Sequence, residues 1–159
     1  MSTTPLSDLK VLDLSKVLAG PLCAMYLGDM GAEVVKVESL EGDETRGWPP
    51  FHHDAQGKET GAVFFSANRN KRSIAIDLRQ PAGQALVQRL AAASDVVIES
   101  FGPGVAEKLG VDAKTLCQDH PRLVHCRISG YGSVGPMREG KGYDVILQAF
   151  SGMLSITGE

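Results

Sequence analysis

Three cationic side chains lie close together in the segment NRNKRSIAID and could bind an anion. Arg69, Lys71 and Arg72 directly precede a stretch whose apolar residues alternate as in a β-strand. The chain has 16 basic and 19 acidic residues and a net charge of −3, so any positive field must be local. The segment is either a phosphate contact or a basic turn exposed to solvent, and both alternatives stay open at this point.

Histidines and cysteines could hold a metal, but their spacing argues against it. His52 and His53 are adjacent, so both cannot face one ion unaided, and no cysteine or HxxxH partner lies near them. We therefore expect exposed loop histidines and no metal site. Cys23, Cys117 and Cys126 are odd in number and lack CxxC spacing, which predicts reduced thiols.

Composition narrows the class of protein further. Apolar residues make up 43% and charged residues 22% of the chain, as in a globular protein. No apolar run approaches membrane-spanning length, and residues 1–10 lack the hydrophobic block of a signal peptide. We expect a cytoplasmic protein that binds neither a membrane nor, given its negative balance, nucleic acid.

The segment KVLDLSKVLAGPLCAMYLGDMGAEVVKVE, residues 10–38, is predicted to form a βαβ unit. A short apolar run is followed by the turn residues Gly20-Pro21, by apolar residues at helical spacing and by a valine-rich strand. Gly31 is placed to end the helix. Such a unit brings a loop and a helix N-terminus to the carboxyl edge of the sheet, where anionic ligands are commonly held.

Strand and helix patterns alternate through the rest of the chain. Residues 39–60 are predicted to be a long loop, because they are rich in glycine, proline and charge. We predict strands over 73–77, 96–99 and 123–129, and helices over 81–93, 105–109, 113–119 and about 143–153. This order favours an α/β, Rossmann-like fold, with a mainly parallel sheet covered by helices on both faces. We expect a single domain over residues 1–159.

A dinucleotide is the first ligand to consider, since Glu38 ends the second strand, where an acid could bind a ribose. The turn argues against it. Residues 15–21 contain one glycine where GxGxxG needs three, and Pro21 lacks an amide that a pyrophosphate would use. The chain also lacks a P-loop and a GxSxG motif. The expected ligand carries phosphates but does not need that fingerprint.

Seven motifs occur in order along the chain: VLDLSKVLAGP, GAEVVKVE, GDETRGW, NRNKRSIAIDL, SDVVIESFGPG, PRLVHCRISGYG and GYDVILQAFSGMLSITGE. Together they resemble the N-terminal portion of class III CoA-transferases of the CaiB/BaiF type, which include formyl-CoA and carnitine-CoA transferases. The resemblance implies an acyl-CoA:carboxylate CoA-transferase. Coenzyme A or acyl-CoA is then a substrate and not a prosthetic group, a carboxylic acid is the acceptor, and the full-length protein is an interlocked homodimer.

The resemblance also implies which residues contact CoA. Carried over position by position, they are Leu18, Ala19, Ser39, Ile76, Arg79, Ser100, Phe101, Gly102, Lys108, Lys141, Gly142, Tyr143 and Asp144. Some relatives have arginine at the positions of Ser39 and Lys108. Because a planar guanidinium and an ammonium bind phosphate differently, the residue that meets the CoA 3′-phosphate stays open.

The related α-methylacyl-CoA racemases have a histidine at the position of Tyr143. A phenol with an ordinary pKa near ~10 is a poor base for moving an α-proton at neutral pH, which favours a transferase. Two alternatives remain: a racemase relative, and a non-catalytic CoA-binding or regulatory module. A nicotinamide oxidoreductase is disfavoured by the missing glycines.

The resemblance places the family's nucleophile outside this sequence. That aspartate attacks the thioester and lies a little beyond the position of Thr157-Gly158, so we expect it after Glu159 and assign no catalytic residue here. A second domain and a returning C-terminal segment are also expected to be missing. The 159 residues are therefore interpreted as a truncated portion, inactive by itself, with apolar faces left uncovered.

Overall fold

Helices and strands alternate along the chain, and the computed structural model describes residues 4–158. The strands are β1 (Lys10–Asp13), β2 (Glu33–Glu38), β3 (Phe51–His53), β4 (Glu59–Gly61), β5 (Lys71–Ala75), β6 (Val96–Glu99) and β7 (Val124–Arg127). The α-helices are α1 (Ala19–Asp29), α2 (Ala62–Asn68), α3 (Pro81–Ala92), α4 (Val105–Lys108), α5 (Ala113–Asp119) and α6 (Asp144–Ser151). Two short 3₁₀ helices cover Glu44–Gly47 and Met153–Ser155. Glu159 lies outside the described residues.

Five strands form one parallel sheet in the order β5-β2-β1-β6-β7. The central strand β1 pairs on both sides, with Val11 opposite Val34 of β2 and opposite Val96 of β6. The chain order reverses between β1 and β6, which is the topological switch point of a doubly wound sheet. The predicted α/β class and parallel sheet are confirmed. Strands β3 and β4 form a separate antiparallel hairpin.

The alternation of side chains along each strand divides the core in two. Leu12 and Leu14 point to the face covered by α3, α4 and α5, where Val87 and Leu116 are among the buried partners. Val11 points to the opposite face, where α1 contributes Ala24. Helices therefore cover both faces of the sheet, as predicted.

Most predicted elements occur close to their predicted bounds. The βαβ unit is confirmed, and Gly31 follows α1 with a φ of +105°, a conformation that glycine adopts without steric cost. The predicted strand over 73–77 is displaced, because β5 begins at Lys71, inside the basic segment. The region 39–60 was predicted to be a loop, but it contains a 3₁₀ helix and the β3–β4 hairpin.

The last helix leaves much apolar surface exposed. Val145 of α6 is 60% exposed and Phe150 is 71% exposed, and Ile156 beyond the helix is 77% exposed. None of the α6 side chains is buried. Phe150 makes an edge-to-face contact with Tyr131, with ring centroids 5.8 Å apart. Among residues 4–158, no helix combines the length and the apolar character needed to cross a bilayer.

Candidate functional site

The carboxyl ends of the five parallel strands meet at one edge of the sheet, and the loops after β1 and β6 flank the switch point. A hydrogen bond from backbone to side chain joins these two loops, since the Lys16 N–H donates to Ser100 Oγ at 3.1 Å. Leu18 and Ala19, which begin α1, are therefore held beside Ser100, and both are exposed. Gly20 packs tightly below them, because a Cβ at this position would lie 2.2 Å from Ser15 Cβ.

The β1–α1 loop, residues 14–18, contains a strained backbone. Val17 has a φ of +65°, in the left-handed region that a β-branched side chain rarely adopts. Such a conformation costs about 1–3 kcal/mol and persists only where surrounding contacts impose it. Asp43 supplies one of these contacts, since its Oδ2 accepts the Val17 N–H at 3.3 Å.

A second group of predicted residues lies at the carboxyl ends of β2 and β5. Ser39 follows β2 directly, and its Oγ donates to the Gly42 carbonyl at 3.0 Å. The Ile76 N–H donates to the carbonyl of Glu38 at 2.9 Å, which places Ile76 beside the end of β2. The Ile76 side chain is buried in the core, so its backbone is the part available to a ligand. Arg79 is exposed and pairs with Asp77, Nε to Oδ1, at 2.8 Å.

The β6–α4 loop, residues 100–104, carries Phe101 and Gly102, and Lys108 follows one helical turn later as an exposed cation. Glu99, at the end of β6, anchors this loop by accepting the Phe101 N–H on its Oε2 at 2.7 Å. Burial raises the pKa of Glu99, and this effect outweighs the Phe101 N–H and Arg127, which favour the charged form. Within residues 4–158, the other oxygen of Glu99 accepts no hydrogen bond, and Arg127 Nε lies 3.4 Å from it.

The remaining predicted residues, 141–144, connect to this edge through β7. Gly130 follows β7, and a Cβ on Gly142 would lie only 2.4 Å from the Gly130 Cα. The two glycines thus bring the ends of the β7–α6 loop, residues 128–143, into contact. Lys141 and Tyr143 are exposed on either side of Gly142. Asp144 begins α6, and its Oδ2 accepts from Gln148 Nε2 at 2.5 Å.

Replacing Gly142 with alanine should open this contact, because the new methyl group would overlap the backbone of Gly130. Overpacking of this kind costs roughly 1–3 kcal/mol. The fraction of molecules in which Gly130 and Gly142 are separated should therefore increase about tenfold or more. Trypsin cleavage after Arg138 and Lys141 measures that population. Gly47→Ala is the control, since a Cβ there meets no atom within 4 Å. Equal cleavage rates in the two variants would contradict the expectation.

Beneath the first two loops lies a group of buried charges on the α1 face of the sheet. Asp13 pairs with Lys71 at 2.9 Å, and both side chains are at most 2% exposed. Burial lowers the pKa of Lys71, although Asp13 opposes the shift. Lys36 pairs with Asp43 at 3.1 Å, with both side chains 1% exposed. Burial alone would raise the pKa of Asp43, but hydrogen bonds from Thr45 and the charge of Lys36 lower it.

Glu38 is the third buried acid of this group. Arg46 binds it with two parallel hydrogen bonds of 2.7 Å, the Asp43 N–H donates to its Oε2 at 2.8 Å, and Ser73 donates to its Oε1. Burial alone would raise the pKa of Glu38, but these donors outweigh it and lower the pKa to about 2. Glu38 therefore fixes the segment after β2, and its carboxylate is not free to bind a ribose.

The basic segment at the start of β5 has a structural role in this chain. Lys71 is buried against Asp13, Arg69 pairs with Asp29, and Arg72 pairs with Glu33. The backbone of all three residues lies at the amino end of β5, opposite the edge that carries the glycine-rich loops, and the Lys71 side chain extends to Asp13 at the carboxyl end of β1. Arg69 and Arg72 are exposed, as in the alternative of a solvent-exposed turn, whereas Lys71 is buried and fits neither alternative. His52 and His53 are exposed, with His53 bound to Glu59, and residues 4–158 contain no cluster of potential metal ligands.

Sequence reasoning missed the residues that hold the site together. Asp13, Lys36, Asp43 and Glu99 were given no role, although a charge inside an otherwise apolar strand is a usable signal for Asp13, Lys36 and Glu99. At the carboxyl edge, Leu18, Ala19 and Gly102 are exposed. Two surface recesses, of about 120 and 200 Å³, lie elsewhere, between α3 and α5 and at the amino ends of β1 and β2.

Comparison with known proteins agrees with this fold. A crystal structure of a CaiB/BaiF family protein from Brucella suis superposes with a TM-score of 0.94 at 46% identity, covering 99% of this chain and 42% of that one. The succinate–glutarate CoA-transferase of Agrobacterium fabrum is 49% identical over 98% of this chain and 40% of its own length. The succinyl-CoA:glutarate CoA-transferase of Mus musculus is 44% identical, over 99% of this chain and 35% of its own length.

These two curated relatives are much longer than the chain, which spans 35 to 40% of their length. The match therefore concerns their N-terminal portion, as the order of the motifs predicted. Residues 6–159 match the family described as CoA-transferase family III. The chain belongs to CoA-transferase family III.

Proposed function

We propose that this chain is the CoA-binding portion of an acyl-CoA:carboxylate CoA-transferase, and that CoA or its thioester lies across the carboxyl edge of the sheet. The observation that carries the proposal is the hydrogen bond between Lys16 N–H and Ser100 Oγ, which joins the loops on both sides of the switch point. Ligands of doubly wound sheets bind at this position. Leu18, Ala19 and residues 100–102 would form the central part of the binding surface.

The phosphates of CoA need cations, and three of the predicted contacts can supply them. Arg79, Lys108 and Lys141 are exposed near the loops that follow β5, β6 and β7. We propose that Lys108 meets a phosphate, because α4 follows the β6–α4 loop directly. The planar guanidinium of Arg79 would bind a second phosphate with two hydrogen bonds, either in addition to Asp77 or in its place.

The acceptor is proposed to be a dicarboxylic acid. The two relatives above are named for succinate and glutarate, which both carry a second carboxylate at the end of a short chain. We propose that the whole protein moves CoA from one such acid to another. The pocket that selects the acid by its chain length would be completed by parts of the protein outside these 159 residues.

The nucleophile is likewise proposed to lie outside this chain. Glu38, Asp43 and Glu99 are buried near the carboxyl edge, and Asp144 is bound to Gln148. Acids that are buried or already hydrogen-bonded are poorly placed to attack a thioester. Residues 4–158 would therefore bind and orient CoA, and an aspartate from another segment would attack the acyl carbon.

The proposal includes a homodimer in the cytoplasm. Its support is the exposed apolar surface of α6, where Val145 and Phe150 are 60% and 71% exposed. Contiguous apolar surface of this kind is commonly covered in an assembly. Either a second copy or a further segment of the same chain would bury it.

Calorimetric titration of the 159-residue chain tests the binding part of the proposal. We expect binding of CoA and none of NAD, because the β1–α1 loop lacks the dinucleotide fingerprint. Lys108→Met should weaken CoA binding about tenfold, the usual effect of removing one charge-assisted hydrogen bond. Lys114→Met is the matched control, since Lys114 is an equally exposed helical lysine on α5.

Two results would count against the proposal. A folded wild-type chain that binds no CoA would show that these residues do not suffice for the binding site. Equal affinities in the Lys108→Met and Lys114→Met variants would remove the role given to Lys108, while CoA binding itself would remain. Circular dichroism of each variant establishes that the comparison is made between folded proteins.

A further inference from the structure

The β1–α1 loop adopts a conformation that its own sequence does not favour. Val17 has a φ of +65°, although a β-branched residue is among the least suited to the left-handed region. The reversal at Val17 turns the chain so that Leu18 and Ala19 are exposed at the start of α1, while Gly20 packs against Ser15. Contacts from outside the loop must therefore impose this shape.

Two buried side chains supply these contacts. Lys36 Nζ donates to the Ser15 carbonyl at 2.8 Å and pairs with Asp43 at 3.1 Å. The same Asp43 oxygen accepts the Val17 N–H at 3.3 Å. Lys36 and Asp43 thus bind the backbone on both sides of Lys16.

Asp43 is itself rigidly held. Its Oδ1 accepts from the Thr45 N–H at 3.0 Å and from Thr45 Oγ1 at 2.7 Å, and its own N–H donates to Glu38. Its side chain is 1% exposed, so these bonds are protected from water. The segment after β2 consequently acts as a fixed support for the β1–α1 loop.

We propose that Asp43 and Lys36 are positioning residues that hold residues 15–19 in the conformation that binds the CoA moiety. The inference rests on the proposed function, and it gives Asp43 of the segment GDETRGW a role in shaping the loop that follows the neighbouring strand β1. Neither side chain touches the ligand. Each acts through the backbone of Ser15 and Val17.

The test compares two aspartates that each cap a helix by accepting hydrogen bonds from the N–H and Oγ1 of a threonine, Asp43 in a buried site and Asp112 in an exposed one. Asp112 caps α5 as Asp43 caps its 3₁₀ helix, accepting from Thr115 N at 3.1 Å and from Thr115 Oγ1 at 2.6 Å. Asp112→Ala removes a helix cap far from the β1–α1 loop. Asp43→Ala removes a helix cap and also the acceptor of the Val17 N–H, and Asp43→Asn removes the charge of Asp43 with a smaller change in shape. We expect the Asp43 variants to weaken CoA binding about tenfold or more and to speed amide exchange over residues 15–19. Asp112→Ala should change neither.

A rescue variant separates positioning from general stability. Asparagine adopts the left-handed region more readily than valine, so Val17→Asn lets the loop reach its conformation without the external contact. The double variant Asp43→Asn/Val17→Asn should recover most of the lost affinity. A purely structural role for Asp43 predicts no recovery, and that result would overturn the inference.

The possible failures are distinguishable. If the wild-type chain binds no CoA, the proposed function fails, and amide exchange in Asp43→Ala still decides whether Asp43 holds the loop. Unchanged exchange over residues 15–19 would overturn the inference in either case. Wild-type CoA affinity in a folded Asp43→Ala variant would do the same.

Discussion

Replacing Lys71 with methionine is expected to lower the free energy of unfolding by about 3–5 kcal/mol, because the change leaves a buried carboxylate without its charged partner. The Asp13 side chain is fully buried, and Lys71 Nζ reaches its Oδ2 at 2.9 Å. Lys71 also donates to the Pro21 carbonyl and to Asn68 Oδ1, at 2.8 and 2.9 Å. Urea denaturation at neutral pH measures the loss.

The two neighbouring arginines provide matched controls for this substitution. Arg69 and Arg72 belong to the same basic segment and pair with Asp29 and Glu33, but their side chains are 54% and 71% exposed. Exposed pairs of this kind contribute about 0–1 kcal/mol, so Arg69→Met and Arg72→Met should cost no more than that.

A double variant tests the cause of the loss. Asp13→Asn keeps an acceptor for Ser15 and removes the buried charge, so Asp13→Asn/Lys71→Met should be more stable than Lys71→Met alone. A loss below about 1 kcal/mol in Lys71→Met would show that the pair contributes little, as for an exposed pair.

Acid should destabilise the protein through Glu38. The folded-state pKa of this carboxyl, about 2, lies below its ordinary value near 4.5. Because the pKa is lower in the folded state, ionised Glu38 contributes its full stabilisation above the ordinary pKa, and this contribution is lost as the pH falls through the folded-state pKa. The shift corresponds to about 3 kcal/mol, of which about 2 kcal/mol should be lost by pH 3.

Comparison with Glu38→Gln isolates this contribution. The difference in unfolding free energy between wild type and Glu38→Gln should narrow by about 2 kcal/mol between pH 7 and pH 3, as urea denaturation at each pH would measure. Glu41→Gln, which changes an exposed acid in the same segment, is the control for replacing a glutamate with glutamine. A constant difference for Glu38→Gln would contradict the role given to Arg46, Ser73 and the Asp43 amide.

The sheet could be predicted from the sequence because its signals are local. The apolar run before Gly20-Pro21 and the valines at 34, 35 and 37 sufficed for β1, α1 and β2, and Pro81 marked the start of α3. The β3–β4 hairpin gave no such signal. Its strands have three residues each and are mostly exposed, so their composition resembles that of a loop.

The displaced start of β5 has a physical reason. Arg69, Lys71 and Arg72 were predicted to form either a phosphate contact or a solvent-exposed turn, and a strand was predicted to begin only at Ser73. Lys71 is instead inside the sheet, because the carboxylate that neutralises it is Asp13, far away in the sequence. A pattern along one segment carries no information about a partner on another.

The candidate site shows the same limit. The predicted residues after β1, β2 and β6 lie at one edge because parallel topology brings strand ends together, and that much follows from element order. The strained Val17 and the contacts of Asp43 and Lys36 depend on three segments meeting in space. Neither the secondary-structure propensity of a residue nor the spacing of residues within one segment predicts contacts between distant segments.

The contact between Gly130 and Gly142 gives the residues between them unusual freedom to change. The two glycines hold the ends of this loop together, and doubling the length of a flexible loop raises the entropic free-energy cost of closing it by only about 0.6 kcal/mol. Residues 131–140 could therefore be lengthened or exchanged without displacing the chain that enters α6. The lengths and sequences of these residues can therefore change while Gly130 and Gly142 keep the ends of the loop together.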